Sequence, residues 1–134
     1  MVIRYARAPE LDDKVRELVL RLGLTHVDPA RVTCVRSKGS TGNRTLARIH
    51  GLPRVWQSTM KVRPCYVIEV VSERFDLLGE AEREKTLIHE LLHIPANFGG
   101  GFRHHGNWVD RLRVEKVYKM LQESRRRVPK LAYD

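Results

Sequence analysis

Residues 87–108 read LIHELLHIPANFGGGFRHHGNW, and this stretch decides how the rest of the chain is arranged. Leu87, Leu91 and Ile94 recur at helical spacing, with Ile88 and Leu92 widening the apolar stripe. Pro95 stops the helix that carries them. The same helix holds His89, Glu90 and His93 in the order HExxH, so two imidazoles project from one face a turn apart. Three consecutive glycines then lead to a second histidine pair, His104 and His105. Glycine accepts backbone angles that other residues avoid, so this loop can turn sharply and return the later histidines toward the helix.

Working outward, GEAEREKTLIHELLHI from Gly79 places acidic residues in the first helical turns, where the positive end of the dipole favours them. Upstream, CYVIEVVSERF (65–75) is the strongest strand, dominated by Tyr66, Val67, Ile68, Val70 and Val71. RVTCVRS (31–37) alternates as a strand does, and the turn-rich SKGSTGN connects it to a further strand, RTLARIHGL (44–52). PRVWQSTM reads as a returning hairpin arm or short irregular strand, with Pro53 against it. APELDDKVRELVLRLGL is an amphipathic helix with Leu11, Val15, Leu18, Val19 and Leu22 on one face. Pro9 lies in its first turn and Gly23 suits its C-terminal cap. NWVDRLRVEKVYKMLQES is a final helix with Trp108, Leu112, Val117 and Leu121 facing inward, and the basic tail RRRVPKLAYD (125–134) is loosely ordered. The order predicts one α+β domain over residues 1–134. It has an N-terminal helix, a small mostly antiparallel sheet, the HExxH helix and a C-terminal helix.

Composition narrows the setting. The chain has 134 residues, enough for a core without disulfide staples. No apolar run approaches membrane length, and the N-terminus lacks a signal-peptide stretch, so a cytoplasmic protein with no membrane partner is expected. Lys and Arg total 25 against 16 Asp and Glu, a net charge of +9. The charges are spread along the chain, which favours a salt-bridged surface, and they also provide weak, sequence-independent attraction to nucleic acid. Cys34 and Cys65 form no CxxC and read as small buried hydrophobes; the sequence leaves open whether they pair.

HExxH has a chemical reason for its spacing. His89 and His93 reach one ion, and Glu90 points beside it, placed to take a proton from an activated water. A catalytic zinc site needs three protein ligands and an open position, and His104, His105 and Cys65 are the candidates for the third. His105, in HGNW at the expected start of the last helix, is the best placed of them. His26 and His50 read as ordinary surface or strand histidines.

Together, YVIEVVSERFDLL, LIHELLHIP and GGGFRHHG resemble the small metallopeptidases of archaea and phages, and the likeness extends to DPARVTCVRS and ARIHGLPRVWQ. More distantly they resemble SprT-like proteases, in which HExxH is followed by a loop and a third His, often as His-Gly. The resemblance implies a minimal zincin fold, with His89, His93 and His105 as ligands of one zinc ion and Glu90 as general base. It implies a zinc metalloendopeptidase in which Glu90 deprotonates a zinc-activated water and passes the proton to the leaving amine. Arg103 and His104 are the candidates to stabilise the oxyanion, and CYVIEVV is a candidate to form or neighbour a substrate-pairing edge. With so short a chain the cleft walls should be low, so the expected substrate is a flexible or unfolded polypeptide.

Three rival readings follow from the same residues. DNA-associated proteolysis on the SprT-like pattern fits the charge, but the chain shows no zinc ribbon or separate DNA-binding segment. Peptide deformylases also use HExxH, but with a Gly-Cys-Leu ligand that RPCYV does not match. A nucleic-acid-binding protein with a structural zinc would be expected to be richer in cysteine and fully coordinated by protein.

Overall fold

The computed structural model describes residues 2–40, 44–105 and 109–131. Four strands form one mixed sheet in the order β1-β2-β4-β3: β1 (Arg4–Arg7), β2 (Val32–Lys38), β3 (Ala47–Gly51) and β4 (Tyr66–Val71). The outer pairings are antiparallel, but β2 and β4 run parallel at the centre, with Cys34 opposite Ile68. Five helices accompany the sheet: α1 (Pro9–Arg21), α2 (Arg54–Met60), α3 (Ser72–Phe75), α4 (Glu80–Leu92) and α5 (Arg111–Arg127). The domain is α+β, as its element order predicts. Among the described residues no helix is long and apolar enough to cross a membrane.

Strand alternation explains the core. Val32 and Cys34 of β2 and Tyr66, Ile68 and Val70 of β4 point to one face of the sheet, as a period of two requires. Against them lie Leu11, Val15 and Leu18 of α1, Leu87, Ile88 and Leu91 of α4, and Val114 and Leu121 of α5. Both cysteines are free thiols; Cys34 is buried and Cys65 half-buried.

Several local expectations are corrected. Residues 54–60 are helical rather than a hairpin arm, and none of them is buried. Pro53, unable to donate to a strand ladder, instead precedes the first helical turn. The strand predicted over 65–75 ends at Val71, and α3 begins there. A strand at Arg4–Arg7 was hidden because its residues are exposed at the sheet edge and carry no apolar alternation. Leu112 is exposed rather than inward, whereas Leu121 is fully buried. Trp108, expected to face inward, and residues 41–43 of the expected flexible connection lie outside the described residues.

The basic tail is also more ordered than its composition suggests. α5 continues to Arg127, and Arg125 joins an ion network that ties three helices together. Its guanidinium donates to Glu84 of α4 at 2.9 Å and to Glu17 of α1 at 3.0 Å. Lys14 reaches Glu84 at 2.9 Å, and Arg21 reaches Glu17 at 2.8 Å. Glu84 is only 2% exposed, so it depends on these partners to remain charged. Burial works to raise both carboxyls. The hydrogen bonds outweigh it, bringing Glu17 down to about 2 and holding Glu84 below its ordinary range.

Both groups therefore bind protons less readily when folded than when unfolded. Their contribution is complete above the ordinary value of 4.5 and is lost as pH falls toward 2. Arg125→Ala should cost about 3 kcal/mol at neutral pH, because it leaves the buried Glu84 carboxylate with Lys14 alone and also removes a partner of Glu17. Thermal melts should show its midpoint falling less steeply than wild type through that acid window; parallel curves would remove the network from the stability account.

Candidate metal centre

The HExxH turn lies at the C-terminal end of α4, where the helix stops at His93. His93 is its C-cap residue, still in helical conformation, so His89 and His93 share one face with their ring centroids 5.1 Å apart. The loop beyond Pro95 turns back through positive φ at Phe98 (47°) and Gly100 (97°). A side chain at Gly100 would run into the Leu52 carbonyl, so here glycine is required by close approach as well as by backbone angle. The Phe98 ring packs edge-on to Tyr66 at 5.0 Å, which helps hold an angle that non-glycine residues rarely adopt.

This loop carries His105 to the other two histidines. One ring nitrogen from each of His89, His93 and His105 lies within 4.8 Å of the others, and the His89 and His105 Nε2 atoms are 3.1 Å apart. Two donors about 2 Å from a tetrahedral ion sit roughly 3.3 Å from each other, so the spacing suits a shared metal. His105 forms a β-bridge with Val109 and precedes α5, rather than standing at the start of that helix as expected. His104 is exposed in the same cleft and is not in the triplet. Cys65 is outside it too, its carbonyl accepting from Leu52 at the base of β4.

The ring chemistry favours ligation. Burial, and then the nearby His93 and His105, push the His89 imidazole down to about 4. Burial also lowers His93, against a hydrogen bond to the Arg103 carbonyl that favours its charged form. Neutral imidazoles present the lone pairs that a divalent metal needs. His93 Nδ1 donates to that carbonyl at 2.5 Å, and the Arg103 amide donates to the His93 carbonyl at 2.6 Å. This double backbone clasp fixes the tautomer and leaves His93 Nε2 free. Beside the triplet, Glu90 is 6% exposed, and burial raises its carboxyl to about 7.

Sequence reading missed the groups that hold the loop. The Tyr66 hydroxyl accepts from the Gly100 amide at 2.9 Å and donates to the Gly101 carbonyl at 2.8 Å. Gln57 of α2 donates to the carbonyls of Leu52 and Gly99 at 2.7 and 2.9 Å. Their types are ordinary for a strand and a helix, and only the fold brings them to the glycines. His50 pairs with buried Glu69 at 2.9 Å, and His26 sits in the turn after α1. Arg103 and His104 both line the cleft beside the triplet.

Two cavities, of about 760 and 500 Å³, meet at Ala47, His89 and Glu90. β4 lies inside the sheet; the edge beside these cavities is β3, whose Ala47 lines both. These features define a class: a small α+β domain whose central helix and following loop assemble a three-histidine site able to hold a metal ion. The model of the putative phage metallopeptidase family matches residues 3–131, and the chain belongs to that family. Membership carries a metallopeptidase assignment, and with it a metal cofactor. Searches among curated proteins and among solved structures each gave no match.

Because the Tyr66 hydroxyl holds the loop that delivers His105, Tyr66→Phe should weaken metal binding about tenfold or more. A cobalt titration followed by its visible spectrum reads this directly. Unchanged affinity would show that the loop keeps its shape without the phenol.

Proposed function

We propose that the chain hydrolyses peptide bonds in flexible polypeptides, with zinc held by His89, His93 and His105 and with Glu90 as general base. The observation that carries this reading is the meeting of three ring nitrogens beside a buried carboxylate in an open cleft. Bound there, zinc would supply a Lewis acid and lower the pKa of a water toward about 7. Glu90, buried beside the triplet, takes the water's proton and returns it to the leaving amine. The clasp on His93 and the Tyr66 bridge hold the ligand geometry, so little is left to rearrange during reaction. Among the described residues β3 is an outer strand of the sheet and can offer its edge to an extended substrate backbone, and the shallow cleft suits an unfolded segment better than a folded one.

Glu90→Gln should keep its metal and melting temperature but lose about 10²- to 10⁴-fold in casein hydrolysis, because an amide cannot accept the proton. Equal activity in the two proteins would remove Glu90 from the reaction. For the ligands, His105→Ala should lose stoichiometric zinc by elemental analysis, whereas His104→Ala should keep it. The reverse result would move the third ligand by one residue. The net charge of +9 supports one further reading, proteolysis of DNA-bound proteins, for which added DNA should stimulate hydrolysis in a salt-sensitive way.

A further inference from the structure

We infer that the larger half of the cleft, beyond Glu90, is a subsite for an acidic side chain, so that the preferred substrate carries Asp or Glu beside the scissile bond. The inference rests on the peptidase reading and adds a substrate class to it. The cavity of about 760 Å³ begins at His89 and Glu90 and runs between the approach to β3 and the start of α5. Its walls carry three cationic side chains, Arg44, Lys85 and Arg111, and two further carboxylates, Glu82 and Glu115.

Both of those carboxylates are already engaged. Lys85 Nζ lies 3.2 Å from Glu82 and 3.1 Å from Glu115, and it sits over the Tyr118 ring, which fixes it in place. Arg44 and Arg111 have no ion pair or hydrogen bond among the described residues. Two arginines from different segments therefore line the same cavity with no ion pair of their own among the described residues, while Glu82 and Glu115, on the same walls, both lie on Lys85.

The remaining lining decides the kind of anion. Leu46, Ala47 and Val114 give the cavity an apolar side on which methylenes can rest. A Glu side chain matches this combination, with an apolar stem and a planar carboxylate that a guanidinium can bind through two hydrogen bonds. A nucleic-acid phosphate would use the arginines but gain nothing from the apolar lining.

Binding without turnover provides the test. Zinc-loaded Glu90→Gln protein would be titrated against short fluorescein-labelled peptides that differ only in a central Glu, Gln or Lys, with anisotropy as the readout. The Glu peptide should bind about tenfold tighter than the Gln peptide, and the Lys peptide most weakly. Adding R44Q and R111Q should abolish the preference, and adding R44E and R111E should reverse it, with melting temperatures unchanged because both side chains are exposed. Equal affinities, or a preference that survives R44Q and R111Q, would overturn the subsite. So would displacement of the Glu peptide by a single-stranded oligonucleotide at lower concentration than by unlabelled Glu peptide. Hydrolysis by wild type is scored separately. Selective binding of the Glu peptide without any cleavage would dismiss the peptidase reading and leave the acidic subsite standing.

Discussion

Helix α4 must be buried on one side and chemically open on the other within the same turn, and the rest of the architecture follows from that division. Leu87, Ile88 and Leu91 are each about 1% exposed against the sheet, whereas His89 and His93 border the cleft. Apolar packing alone tolerates some rotation of a helix about its axis, because the hydrophobic effect has no direction. Charged contacts do have direction. Glu84, near the other end of α4, is gripped by Lys14 of α1 and Arg125 of α5, which fixes the roll of the helix and hence the aim of its histidines.

The third histidine raises a different difficulty, since it arrives on a loop rather than on a regular element. A loop can position a metal ligand only if its own backbone groups are satisfied and its shape is fixed. Tyr66, Gln57 and the reciprocal bonds between His93 and Arg103 meet both needs. All three reach backbone atoms of the loop rather than its side chains. The core strand β4 thus serves the site twice, once by supporting α4 and once through the Tyr66 hydroxyl.

A chain this short builds its cleft from few elements, and each contributes to more than one part. β3 is at once the sheet edge, the support for Gly100 through Gly51 and Leu52, and a wall of both cavities. α5 covers the core with Leu121, anchors α4 through Arg125, and presents Arg111 to the cleft at its opposite end. The positive charge of the protein is accordingly of two kinds. Arg21 and Arg125 are consumed in holding helices together, and Arg44 and Arg111 line the larger cavity.

The sequence by itself determined the elements whose signals are local. α1, α4 and β4 were legible because apolar periodicity and terminal residues such as Pro9, Gly23 and Pro95 act within a few residues of where they stand. HExxH was legible for the same reason, since the meeting of His89 and His93 is a property of one helix turn. The parallel pairing of β2 with β4, the edge position of β3, and the helical state of residues 54–60 were settled by contacts between distant segments. So were the burial of Glu84, read from the sequence only as an acidic residue in the first helical turns, and the ordering of Arg125, read as part of a loose tail. The joining of His105 to the pair needed the loop to close, and Tyr66 and Gln57 that hold it lie 34 and 42 positions away from the glycines they bind. Spacing along a helix is fixed by covalent geometry and local hydrogen bonds. Closure of a loop onto a site is fixed only when the whole core has formed beneath it.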